Sequence, residues 1–340
     1  MQNLENLLLS DDKNVAKWFM KNLPGEIYEN VSPQYELQVV SAMQIRKVFG
    51  GGIFKNIKGI YFGSDQCEFL LPTIQEIQKA IELLKEFDKK YVSNELKRFT
   101  LLTSFYGNGI IRERLIENLD YLNCNASNIN PKTGLVEIVV NDLGTLKLVQ
   151  SYDKLVPILG RLMVKTLKNP IIDTLGIDKG VHIPGEMMKN KSKEDINEIR
   201  KKISDKQLEG IGNSALTNHF FLDFFEKYNI DRYGIDYIKD FQSLYKTDKI
   251  IDIYYPYALV YVGRLCDTAA IDDVRRGYYP IDDICRRTCN KYDINLKDFD
   301  SVGYKLVLRG NSSYKTQVEL ALDDELINKY ENRLVYSPLV

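Results

Sequence analysis

The chain has 340 residues, 44% of them hydrophobic, with 46 Lys+Arg against 47 Asp+Glu. That is enough apolar surface for one sizeable core, and too even a charge for a global basic field that would collect nucleic acid. The opening MQNLENLLLSDDKNVAKWF lacks the charged-then-apolar order of a secretory leader. No stretch approaches the ~18 apolar residues of a membrane span, so a cytoplasmic protein is expected.

Residues 1–35 read as an N-terminal extension. Short apolar, β-branched runs then alternate with helical patterns. Glu36–Ser41, Gly59–Phe62, Phe99–Thr103, Leu135–Val140 and Leu155–Leu159 are expected strands, followed by a weaker one near Gly210–Leu216, then Arg232–Ile238 and Ile250–Val262. Between them, Ile74, Ile77, Ile81, Leu84 and Phe87 recur at spacings of three and four, which places a helical face over Thr73–Lys89. Ile111–Leu122, Leu143–Ser151 and Asn218–Tyr228 are further helices, the last opening on an Asn cap.

Strand–helix alternation of this kind makes a parallel sheet with helices outside. Seven or eight units predict an α/β, TIM-barrel-like fold over residues 36–290, regular or irregular. The lysine-rich stretch 165–209 is a polar insertion with one solvated helix. After it all, residues 291–340 add a strand pair, Val302–Arg309 with Thr316–Leu322, then a short helix and a tail.

The chain carries five cysteines. Without an export signal they argue for metal binding or buried free thiols over a disulfide framework. Cys285 and Cys289 form a Cys-x3-Cys pair, with Cys266 nineteen residues earlier. Cys67 lies five residues past the GIYF strand and Cys266 four past the long last one. In a barrel both fall on the loops at the C-terminal strand ends, where barrel enzymes place their sites. Four thiolates suit a 4Fe–4S cubane or a closed zinc site. One pair plus two scattered cysteines is the commoner pattern for a cluster, with zinc the alternative. Arg286 and Arg287 between the pair, with Arg275 and Arg276 before it, would offset thiolate charge. Cys124, in YLNCNAS, is the outsider.

At these residues the chain resembles a known family. GIYFGSDQC, VNDLGTLKLV, PILGRLMVKTLKNPIID, the segment VGRLCDTAAIDDVRRGYYPIDDICRRTC and LVLRGN follow one another in the order seen in the collagenase-like peptidase family U-32. The likeness covers roughly residues 36 to 320, and the early cysteine is similar to the iron–sulfur, UbiU/UbiV-type branch. That resemblance implies a 4Fe–4S cluster on Cys67, Cys266, Cys285 and Cys289, and dioxygen-independent hydroxylation or a related modification of a small molecule, quinone precursor, RNA base or peptide. It also implies a homologous subunit as heterodimer partner, in which this chain is catalytic or a non-catalytic member, and a prephenate-like oxygen donor. Peptidase activity, which the family name suggests, finds no triad or zinc motif in the chain.

Four polar residues are candidates for substrate contact. Asn141 and Asp142 end the fourth strand, where an Asx turn or helix cap is the plainer role. Arg161 and Arg264 lie at the same mouth, where a cation would pair with a carboxylate. The two histidines, His182 and His219, sit in no nucleophile motif and read as structural or surface residues. Gly50–Gly52 reads as a turn, and the tyrosines of IYYPYALVY as barrel lining.

Overall fold

In a computed structural model the described residues are 34–41, 45, 58–90, 97–107, 109–164, 185, 189–211, 215–237, 249–272, 285, 287–290, 292, 294–296, 306–316 and 332–337. Eight parallel strands form a nearly closed barrel: β1 Gln34–Val39, β2 Gly59–Gly63, β3 Arg98–Leu102, β4 Val136–Val140, β5 Leu155–Leu159, β6 Arg232–Asp236, β7 Ile250–Val262 and β11 Arg333–Ser337. The weakest seam is β5–β6, joined by the single pair Leu159↔Tyr233. A separate antiparallel sheet is made by the outer half of β7 with β8 Ile294–Leu296, β9 Leu306–Arg309 and β10 Ser312–Thr316.

The barrel-like expectation holds, and three of its details change. The weak strand near Gly210–Leu216 is not one: helix runs to Ile211, and Ala215–Thr217 is a 3-10 turn. The eighth strand comes instead from Arg333–Ser337, which lay in the expected tail and which pairs with both β1 and β7. The appended hairpin turns earlier than expected, its second strand starting at Ser312 opposite Arg309, and of the expected strand Thr316–Leu322 only Thr316 is among the described residues. Its two-residue loop begins at Gly310, whose φ of +62 suits the first position of a II′ turn and strains any residue with a Cβ.

Helices cover the barrel where the apolar spacing put them. α1 (Ile74–Lys90) opens on a capping box: the Thr73 N–H donates to Glu76 Oε2 at 2.8 Å, and the Glu76 N–H donates to Thr73 Oγ1 at 3.3 Å. It buries Ile77, Ala80, Ile81, Leu84 and Phe87. α2 (Gly109–Ile129) runs a further two turns past Leu122, so Cys124 is inside a helix, on its exposed side. α3 (Leu143–Val149) and α5 (His219–Glu226) are capped by Asp142 and Asn218. α4 (Lys193–Ile211) is the solvated helix of the insertion, and α6 (Ala269–Asp272) is a single turn after β7. No helix among the described residues is long and apolar enough to cross a membrane.

Strand alternation sends one set of side chains outward beneath the helices and another into the lumen. Tyr61, Leu102, Val139, Ile158, Tyr254 and Val335 form an apolar layer inside. Of the IYYPYALVY tyrosines only Tyr254 belongs to that layer; Tyr255 packs in the outer core and Tyr261 is exposed. At the N-terminal end of the strands the lumen is ionic. Arg98 binds Glu36, Arg333 binds Glu137 at 2.7 Å and Arg232 binds Asp252 at 2.7 Å. Three acids and three bases balance there, the condition for holding charges in so dry a place.

Candidate metal centre at the barrel mouth

At the other end of the lumen stands Arg161, on the turn after β5. Its fully buried guanidinium is bound by Asp65, from the turn after β2, and by Asp236 of β6 at 2.9 Å. It also lies 4.5 Å from the centre of the Tyr254 ring. Two carboxylates already satisfy this cation, so Arg161 braces the mouth from within. Asn141 is likewise a bracket: its Nδ2 donates to the Thr103 carbonyl at 2.6 Å and its Oδ1 accepts from the Leu162 N–H at 3.1 Å. A Cβ at Gly160 would collide with that side chain. Asp142 caps α3, taking the Thr145 N–H at 2.7 Å and the Thr145 hydroxyl at 2.6 Å. Of the four candidate contact residues, Arg264 alone is exposed, and among the described residues it forms no ion pair. It lies beside Gly107, whose N–H donates to Glu68.

The Asp65 brace leads directly to the first cysteine. Ser64 Oγ accepts the N–H of Gln66 at 3.2 Å and that of Cys67 at 3.4 Å, while the Gln66 side chain bonds Asp65. Cys67 therefore sits on a tight turn anchored to the lumen, and it opens the 3-10 turn Glu68–Leu70. Cys266 arrives by a different route. β7 is thirteen residues long, about 43 Å at the usual rise per residue. Its first half pairs in the barrel with β6 and β11, and its second half continues past the mouth beside β10. Cys266 follows its end, and α6 then packs on the 3-10 turn Thr288–Asn290 that contains Cys289.

Asn311 ties these pieces together. Its side-chain amide donates to the Gln66 carbonyl at 2.9 Å and to the Gly263 carbonyl at 2.7 Å, and its own carbonyl accepts the Gly263 N–H at 2.7 Å. One asparagine thus joins the Cys67 turn to the chain that leads into Cys266. Its neighbour Gly310 approaches Cys289, whose Cβ is 3.7 Å from where a Gly310 Cβ would stand.

The result is that Cys67, Cys266, Cys285 and Cys289 gather at one end of the barrel. Burial pushes the Cys67 thiol up, and after burial the nearby thiols of Cys289, Cys285 and Cys266 push the same way, against a hydrogen bond from the Phe69 backbone. Cys289 is buried, Cys67 and Cys266 half-buried and Cys285 exposed, while Cys124 stands apart on α2. Hydrogen-bonding groups meet the sulfurs: the Phe69 backbone at Cys67, Thr268 Oγ1 at Cys266 (3.6 Å) and the Arg287 N–H at Cys285 (3.4 Å). Arg287 has a φ of +52, and its guanidinium reaches Glu76 of α1 at 3.4 Å.

Among the described residues, no group of three or more His, Cys, Asp or Glu is close enough to share one metal ion. A tetrahedral zinc would need sulfurs about 3.8 Å apart, whereas a cubane gives each thiolate its own iron and sets the sulfurs wider. No family model, curated protein or solved structure matches this chain. The site therefore stands on its own geometry.

Some expected participants lie outside the described residues: Arg275, Arg276, Arg286, His182 and Gly50–Gly52. His219 is exposed, its ring centre 3.9 Å from that of Phe220 and tilted to it by 37°. Asp65, Asp236 and Thr268 carry no sequence signal, since a lone Asp or Thr has no pattern. Asn311 was within reach, because LVLRGN is one of the segments that carry the family resemblance.

Proposed function

We propose that the chain is an iron–sulfur protein of the U-32 peptidase-like kind, holding one 4Fe–4S cluster on Cys67, Cys266, Cys285 and Cys289. The observation that carries this reading is the meeting of four cysteines, from three separate parts of the chain, at the C-terminal end of the barrel strands. Cys67, Cys266 and Cys285 face hydrogen-bonding groups suited to stabilise a thiolate, an arrangement that buried inert thiols do not need. The family resemblance supports the same ligands, and its segments fall on β2, on β4 with α3, on β5, on the end of β7 and on the β9–β10 hairpin.

The activity that fits this reading is hydroxylation without dioxygen, or a related modification, of a small molecule, quinone precursor, RNA base or peptide. A bound cluster would supply redox or substrate activation there. The chain's own contribution is a rigid floor, in which Asp65, Arg161 and Asp236 close the lumen below the cysteines. Arg264 is the cation left to receive a carboxylate, such as that of a prephenate-like oxygen donor. A homologous subunit, joined as a heterodimer, is part of the same reading.

The test is a host strain lacking this chain, grown without oxygen, with its quinones and nucleosides compared by mass spectrometry against the parent. One species should disappear while a precursor one oxygen lighter accumulates. Unchanged quinones and nucleosides together with accumulating peptides would overturn the reading in favour of a peptidase.

A further inference from the structure

Thr268 is fully buried, six residues beyond the strand that delivers Cys266 and two beyond Cys266 itself. Its Oγ1 accepts the Gly310 N–H at 3.1 Å, which fixes the hydroxyl against the β9–β10 hairpin. The same oxygen lies 3.6 Å from Cys266 Sγ. Among the described residues, no other acceptor is in reach of its proton. A metal-bound cysteine is a thiolate and has no proton to give. Once Cys266 is a ligand, the direction of this contact is therefore settled: threonine donates and sulfur accepts.

We infer that Thr268 is a positioning residue that sets the reduction potential of the centre through an O–H···S bond to Cys266. The inference rests on the proposed cluster ligands. Reduction adds negative charge that spreads onto the ligand sulfurs, so a donor aimed at one of them favours the reduced form and raises the potential. The donor here is not a free rotor. The Gly310 amide occupies one lone pair of the hydroxyl, and Gly310 is itself held by the hairpin turn, with Cys289 alongside. The hairpin thereby holds the hydroxyl on one ligand while packing against another.

The experiment compares wild type, T268V and T268S, purified without oxygen, for iron, sulfide and midpoint potential by optical or EPR-monitored titration. T268V keeps the shape and removes the hydroxyl, both the donor to Cys266 and the acceptor of the Gly310 N–H, so it should bind iron and sulfide as wild type does and reduce at a lower potential. T268S restores the hydroxyl and should return close to wild type. An unshifted T268V, or a T268S displaced as far as T268V, would overturn the role of the hydroxyl. If T268V does not fold, T268A, which only removes atoms, carries the same comparison. Absence of iron and sulfide from wild type would instead overturn the cluster reading itself, so the two failures are distinct.

Discussion

The four proposed ligands differ in how far they are from water, and that difference is measurable. Cys289 is 6% exposed, whereas Cys285 and Cys124 are exposed outright. In metal-free protein, iodoacetamide should label Cys124 and Cys285 first and Cys289 last, read by peptide mass spectrometry. In protein purified without oxygen only Cys124 should label, because bound thiolates are shielded. Equal labelling of Cys285 in both forms would remove it from the ligand set. A second residue-scale consequence lies at the far end of the lumen. Burial pushes the Glu137 carboxyl up, but Arg333, with Arg98 and Arg232, more than offsets this and holds it down to about 2 from 4.5. A carboxyl lowered on folding contributes stability that is complete above its unfolded value and is lost as the pH falls toward its folded one. Glu137 should therefore account for about 2 kcal/mol of lost stability in metal-free protein between pH 7 and pH 3. Glu36, raised by burial despite Arg98, works with the opposite sign. Denaturant titrations of wild type and E137Q separate them: the acid loss should be smaller in E137Q by about that amount.

At the scale of elements, the last strand is the piece on which the barrel depends most. β11 stands between β1 and β7, and its Arg333 joins Glu137 and the Tyr61 hydroxyl across the lumen. R333M should cost about 3–5 kcal/mol, because it leaves Glu137 buried without its partner. Truncation before Asn332 should abolish cooperative unfolding altogether, as followed by circular dichroism. This strand was also the least legible in the sequence. RLVYS sets only three apolar or aromatic residues between Arg333 and Ser337, and a short strand with a charged lumen side looks like surface until its neighbours are known. The strands β2, β4 and β7 were legible because their apolar, β-branched runs follow from burial on both faces. The helix caps were legible for a local reason, since Asn218 and Asp142 bond amides only two or three residues away. The false strand near Gly210–Leu216 fails on the same ground, for a short mixed run carries no period to tell helix from strand. At the site, position in the barrel and cysteine spacing were readable. The brace of Asp65, Arg161 and Asp236 was not, because Arg161 is 96 residues from one partner and 75 from the other.

At the scale of the whole molecule, the barrel divides its lumen by function. The N-terminal end and the apolar layer of Tyr61, Leu102, Val139, Ile158, Tyr254 and Val335 hold the ring together. The C-terminal end carries Arg161 and its carboxylates, then the four cysteines, with β7 extending past the rim to bring Cys266 over it. That division predicts that cluster content depends on four cysteines and not on the fifth. Iron and acid-labile sulfide, measured per chain after purification without oxygen, decide the matter. Wild type and C124A should each contain about four irons and four sulfides, while C67A, C266A, C285A and C289A should each lose most of both. One zinc per chain with no sulfide, or a cluster that survives C67A and is lost in C124A, would contradict the account.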